Sequence, residues 1–269
     1  MKKILKYGLL GLLVVALTVA VVGCGGNKPA QETAKEQPKD AAKPKLVVGS
    51  DAAFAPFEFV ENGKPTGFDV DLITALCEEA GYELDFRNMN FDGLIPALQT
   101  GQIDVAVSGM SINEERKQVV NFTDPYYKSG LIVAVQAKNN DIKGFDDLKG
   151  KKIAVQSGTT GAKMAEKVTT KDKIVYFSNS DQVLLDLKNG SVDAVINDYP
   201  VLKYFMDKVA KNDVKLVGEK LTSEDYGIAV PKNKTEVLEK LNAALKKIKE
   251  NGKYAEIYKK WFNEEPPKE

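Results

Sequence analysis

From Leu46 onward the chain alternates short apolar runs with amphipathic stretches, and this rhythm restricts its possible folds more than any other feature. Leu46-Val47-Val48-Gly49 reads as a strand. A helix is expected next, capped by Asp69, running to Glu79 and stopped by Gly81. Residues 83–87 read as a strand, and 92–99 as a short helix that tolerates Pro96 near its first turn. Residues 105–108 read as a buried strand, and 114–119 as a helix capped by Asn113. A second set follows, with strands at 152–155, 174–177 and 194–197 and helices at 160–167, 181–188 and 201–209. Strands alternating with helices of this length argue for two open, mostly parallel α/β sheets.

One phrase occurs twice. Leu98-Gln99-Thr100-Gly101-Gln102-Ile103-Asp104-Val105-Ala106-Val107 parallels Leu187-Lys188-Asn189-Gly190-Ser191-Val192-Asp193-Ala194-Val195-Ile196. In each, a helix ends at glycine, turns through an acidic residue and enters a buried strand. The two copies suggest two lobes. Beyond Thr235 the chain is amphipathic helix to Phe262, broken at Asn251-Gly252, with Val237, Leu238, Leu241, Leu245 and Ile248 on one face. Its closing aromatics are expected to pack on the first lobe.

The N-terminus sets the compartment. Lys2, Lys3 and Lys6 form a basic head, Leu9 to Val22 is nearly unbroken apolar chain, and Val21-Val22-Gly23-Cys24-Gly25-Gly26 offers small residues for cleavage. This order reads as a secretory signal, and its apolar run is shorter than the ~20 residues a spanning helix needs. Gly23-Cys24 resembles a bacterial lipoprotein lipobox. The resemblance implies cleavage before Cys24, a diacylglycerol on its thiol, and anchoring to the outer face of the cell membrane or in the periplasm. Residues 24–44 hold no aromatic or branched aliphatic side chain, so they are expected to form a disordered tether.

Roughly 225 residues remain, enough for two modest domains or one large one. Basic and acidic residues balance at 38 each; without Lys2, Lys3 and Lys6 the balance is 35 to 38. With no basic excess, nucleic acid is not an expected partner. Cys77 is the one cysteine left after Cys24, so no internal disulfide forms, and its apolar helix makes it a buried small hydrophobe. The chain contains no histidine, which removes the commonest general base and zinc ligand together. No metal, cofactor or catalytic residue is expected.

Several stretches are familiar in combination: Asp51-Ala52-Ala53-Phe54-Ala55-Pro56-Phe57-Glu58-Phe59, Gly67-Phe68-Asp69-Val70-Asp71-Leu72, Glu115-Arg116, Phe122-Thr123-Asp124-Pro125-Tyr126-Tyr127, Gln156-Ser157-Gly158-Thr159 and Tyr258-Lys259-Lys260-Trp261-Phe262. Together they resemble the family 3 solute-binding proteins, the amino-acid receptors of ABC importers, from Leu46 to Phe262. The resemblance implies a type II periplasmic-binding-protein-like fold with two open sheets and a two-segment hinge near 126–130 and 222–226. Lobe one would comprise 45–127 plus 227–265, and lobe two 128–226. It implies a monomer that catalyses nothing, closes on one free L-amino acid, and docks on the importer's membrane permease subunits.

A zwitterion needs one fixed cation and one fixed anion. By resemblance Arg116 grips the α-carboxylate, as a planar guanidinium can do bidentately, and Asp198 meets the α-ammonium. Gly109 offers its carbonyl to the ammonium and Ser111 its hydroxyl and N–H. The turn carrying Thr159 and Thr160 opens a helix whose free N–H groups favour a carboxylate. Phe54 and Phe91 correspond to the family's stacking aromatics. Asp51 faces the ligand side chain, where glutamine receptors of this type compensate it with a lysine in the Gly/Thr turn. Here Gln156 occupies the lysine position, and Asn197 stands where those receptors can carry histidine. An uncompensated buried carboxylate is costly unless something cationic joins it, so arginine, or another basic amino acid such as lysine or histidine, is expected first and glutamine second. Two other roles use the same fold. An extracellular ligand sensor would share the cleft, and a secreted cyclohexadienyl-dehydratase-like enzyme would need a general acid there, for which Glu58 is the candidate.

Overall fold

The computed structural model describes residues 43–267, so the expected signal segment (1–23), Cys24 and nearly all of the expected tether (24–44) lie outside it. In chain order the elements are β1 Lys45–Ser50, β2 Ala53–Phe54, β3 Glu58–Glu61, β4 Lys64–Thr66, α1 Phe68–Ala80, β5 Glu83–Asn88, α2 Phe91–Thr100, β6 Val105–Ala106, α3 Glu114–Val119 and β7 Val120–Phe122. Next come β8 Tyr127–Ser129, β9 Leu131–Gln136, β10 Ile153–Gln156, α4 Thr160–Val168, β11 Ile174–Phe177, α5 Ser180–Asn189, β12 Ala194–Asp198 and α6 Tyr199–Phe205. The chain closes with β13 Val214–Val217, β14 Glu224–Tyr226, β15 Ala229–Pro231, α7 Thr235–Glu250 and α8 Lys253–Phe262.

Two five-stranded sheets have the same plan. One runs β5-β1-β6-β15-β7 and the other β11-β10-β12-β9-β13. In each, the first three strands pair in parallel and the fourth is antiparallel to both neighbours. Four strands of five therefore point one way, as the alternation of strands and helices predicts. The repeated phrase forms the same turn twice. Gly101 and Gly190 end α2 and α5 in the left-handed region, at φ 73° and 76°. Asp104 then donates its N–H to the Val47 carbonyl (2.7 Å) and accepts the Val47 N–H on its carboxylate (2.8 Å). Asp193 does both with Lys152, each at 2.8 Å.

The fourth strand of each sheet is reached by crossing from the other. Crossing strands β8 and β14 pair antiparallel as a short ribbon, Tyr127 opposite Tyr226. An aromatic cluster grips it: the Phe57 ring lies 4.9 Å from that of Tyr127 and 5.2 Å from that of Tyr226. Phe262 of α8 packs 5.0 Å from Tyr127, and Tyr254 donates its hydroxyl to the Tyr126 carbonyl at 2.6 Å. The C-terminal helices thus pack where expected, with Leu241, Leu245 and Ile248 buried against the α1 side of the first sheet.

Four local expectations change. Asp69 does not cap α1: the helix starts at Phe68 after Gly67, and the Asp69 carboxylate is buried inside the fold. Gly67 is required there, because a Cβ would sit 2.0 Å from the Phe57 carbonyl oxygen. Strand β6 ends at Ala106 rather than at residue 108. Helix α6 begins two residues early and widens into a π-turn at Met206–Ala210. Pro96 is the sixth residue of α2, deeper than the first turn.

Candidate functional site

Ligands of open α/β sheets bind in the crevice outside the carboxyl ends of the strands. A cavity lies at those ends of both sheets, lined by residues from each of them. Asp51, directly after β1, is 5% exposed. Its Oδ2 accepts the Gln156 amide from the end of β10 at 2.6 Å and the Phe91 N–H at 3.2 Å. Burial is the main force raising its pKa to about 6; those two bonds pull it down, while the charges of Asp181 and Asp92 push it further up.

After β6 the chain passes Ser108 and Gly109. Ser108 accepts the Asp51 N–H (3.0 Å) and donates to Glu58 Oε1 (2.7 Å), while Gly109 donates its N–H to Asp69 Oδ2 (2.8 Å). Gly109 is held at φ 49°, and a Cβ would meet the Phe54 ring at 2.6 Å, so no larger residue fits.

Arg116 is the one cation among the described residues lining the cavity. Asn113 caps α3 by accepting the Arg116 N–H at 2.9 Å, which fixes the side chain's origin. The guanidinium donates to the Ser111 carbonyl (2.7 Å) and, across the cleft, to the Gly158 carbonyl (3.0 Å), with the Phe91 ring 5.2 Å away. Burial lowers its pKa, and the charges of Glu224 and Asp198 push it back up.

The second sheet supplies the opposite wall. Thr159 caps α4, accepting the Ala162 N–H at 3.1 Å and donating to the Gln156 carbonyl at 2.8 Å. Asp198 sits at the N-cap of α6 without capping it; its carboxylate accepts the Ser129 hydroxyl at 2.7 Å and borders the cavity. Burial raises its pKa to about 6, against hydrogen bonds from Tyr226 and Ser129.

The cavity walls therefore bring together Asp51, Phe54, Phe91, Gly109, Ser111, Arg116, Gln156, Thr159, Thr160 and Asp198. Asn197 is not among them. Its amide donates to Ser180 Oγ (2.9 Å) and its oxygen accepts the Asp198 N–H (2.8 Å), so it is spent on holding the neighbouring aspartate. Two participants escaped the sequence analysis. Ser108 lines the cavity, one residue before a glycine already singled out. Glu224, on β14, accepts hydroxyls from both walls: Ser111 from one, and Thr160 from the other at 2.8 Å. Nothing in the periodicity around residue 224 marks it. Glu58 is fully buried and does not border the cavity, which leaves the dehydratase-like alternative without its acid.

The profile of the bacterial extracellular solute-binding proteins, family 3, matches residues 46–264. The chain belongs to that family. Among its relatives, the putative ABC transporter arginine-binding protein 2 of Escherichia coli (strain K12) is 40% identical over 222 residues, covering 79% of this chain and 88% of that one. The ABC transporter glutamine-binding protein GlnH of Bacillus subtilis (strain 168) is 35% identical, over 99% of both chains. Among solved structures, the arginine-, lysine-, histidine-binding protein ArtJ of Geobacillus stearothermophilus superposes with a TM-score of 0.79 at 41% identity, covering 82% of this chain and 96% of its own. These family 3 relatives are binding proteins rather than enzymes, and family 3 proteins work outside the cytoplasm.

Proposed function

We propose that this chain is the substrate-binding component of an amino-acid ABC importer, closing on a basic L-amino acid, arginine before lysine or histidine. The observation that carries this reading is the charge pattern of the cavity. Arg116 stands on one wall, Asp198 faces it, and Asp51 is covered by a neutral amide, with Asp92 and Asp181 as the charges acting on it most. Arg116 holds the α-carboxylate and Asp198 the α-ammonium, with Gly109, Ser111, Thr159 and Thr160 around them. The ligand's side-chain cation lies between Phe54 and Phe91 and meets Asp51, supplying the missing positive charge. Glutamine is the second reading, favoured by the likeness to GlnH and by a Gln156 amide that an amide ligand can replace.

In this proposal lobe one is 45–127 plus 227–265, lobe two is 128–226, and the β8–β14 ribbon is the hinge. A diacylglycerol on Cys24 tethers the protein to the membrane beside its permease subunits, supported by the Gly23-Cys24 sequence after an apolar run. Calorimetric titration with L-arginine, L-lysine, L-histidine and L-glutamine at one ionic strength tests the ligand. Asp51→Asn is expected to weaken arginine at least about tenfold more than glutamine, and Gln156→Lys to reverse the preference by like-charge repulsion. A wild type that prefers glutamine, with a ratio that Gln156→Lys leaves unchanged, would sink the charge argument.

A further inference from the structure

Beneath the cavity lies an acid pair that the binding scheme does not use. Glu58 of β3 and Asp69 of α1 are both 0% exposed, and Gly67 lets α1 start close enough to β3 to bring them together. Their carboxyl groups are in hydrogen-bond contact. Among the described residues, three buried side-chain polar atoms have no partner: Ser50 Oγ, Glu58 Oε2 and Asp69 Oδ1. Two of the three belong to this pair. Ionised carboxylate oxygens only accept hydrogen bonds, so two touching carboxylates repel unless one carries a proton.

We propose that Glu58 and Asp69 share a single proton, and that this neutral-plus-anion pair is the positioning element for the cavity floor. The proton resides on Glu58. Asp69 already accepts from the Gly109 N–H (2.8 Å) and the Tyr126 hydroxyl (2.7 Å), both of which favour its anion, whereas Glu58 accepts only from Ser108. A Glu58 carboxylic acid donates to Asp69 and satisfies both orphan oxygens at once. The other titratable groups facing the pair are Asp51, another acid, and Tyr126; burial and Asp69 hold the Glu58 pKa well above the carboxylate range. What the pair holds is the binding floor. Glu58 orients Ser108, whose oxygen takes the Asp51 N–H, and Asp69 fixes Gly109.

Three readouts test this, and only the affinity arm rests on the amino-acid reading. Infrared spectra of the whole protein at pH 7 should show a buried carboxylic-acid C=O band that is absent from Glu58→Gln and shifted or lost in Asp69→Asn, where the anion that accepts the Glu58 proton is gone. A pKa raised on folding means that the native state holds the extra proton, so stability is lost as pH rises from the unfolded value towards the folded one. The melting temperature of the wild type should therefore fall relative to Glu58→Gln between pH 5 and 8. Glu58→Gln keeps both hydrogen bonds, so arginine affinity should stay within about threefold. Glu58→Ala keeps neither and should weaken binding at least about tenfold. Absence of the acid band together with a flat melting difference overturns the shared proton. A Glu58→Ala protein that folds and binds normally overturns the positioning role; should it not fold, Asp69→Asn decides, and an acid band left unmoved there overturns the pair.

Discussion

The two sheets are built alike and end differently. Because Val47 and Lys152 make the same pair of bonds to Asp104 and Asp193, counting from them aligns the two cavity rims. Asp51 then corresponds to Gln156, Ser108 to Asn197, and Gly109 to Asp198. Each sheet contributes one carboxylate, but from different strands: the first from the end of β1, the second from the end of β12. Their counterparts are a neutral amide and a glycine. Asp51 and Gln156, equivalent by position, hydrogen-bond each other across the cleft. A duplicated frame thus supplies two anchor points, and its departures from symmetry distribute charge unevenly between the two walls, as the proposed ligand requires. Arg116 has no counterpart in this alignment, since it comes from α3, and the second sheet continues into α6 instead.

The largest expected effect comes from deleting that unmatched cation. Arg116→Ala should weaken any amino acid at least about a hundredfold, since two charge-assisted bonds are each worth about 1.5–3 kcal/mol. Calorimetric titration of the folded variant measures this, and ordinary affinity would remove Arg116 from the site. Acid attacks the two carboxylates instead. Asp51 and Asp198 both titrate at about 6, so arginine affinity should hold above pH 7 and fall below pH 6, by about tenfold per carboxylate at pH 5. Without ligand the sign reverses. Their pKa values are raised from 3.8 to about 6 by burial, so folding stability declines as pH climbs through that window. Melting curves from pH 4 to 8 with and without arginine should diverge in opposite directions; parallel curves would mean that neither carboxylate is lost on protonation at the site.

The smallest effect tests the equivalence itself. Gly101→Ala meets nothing within 4 Å and pays only for its left-handed backbone, about 1 kcal/mol. Gly190→Ala pays the same strain and also crowds Gln136 Nε2 at 2.8 Å, which donates to the Lys188 carbonyl, so it should cost about 1 kcal/mol more. Urea unfolding of both variants reads the difference. Equal costs would show that Gln136 yields freely.

What the sequence revealed divides along physical lines. Helices α1, α2, α4, α5 and α7 are legible because apolar periodicity is local, and so are the glycines that end α1, α2 and α5 and make the twin turns. Strands β7, β8, β14 and β15 span only three residues each, too few to show alternation, and β9 is buried along most of its length and so shows none either. Charged cavity residues were legible through resemblance, since Asp198 alone could as well have been a helix cap. Asn197 misled because the residue beside a functional strand end can be consumed in holding it. Glu58 and Asp69 were visible as acids, but their contact depends on Gly67 turning the chain back on itself, which no single window shows.

The double crossing of the ribbon also sets an order of completion. The second sheet is assembled from one continuous stretch, β9 to β13. The first lacks β15, and the packing of α7 and α8, until nearly the whole chain is available. As a chain emerging from its N-terminus, the half that begins first finishes last. It must keep β1, β5, β6 and β7 in waiting while its neighbour is made.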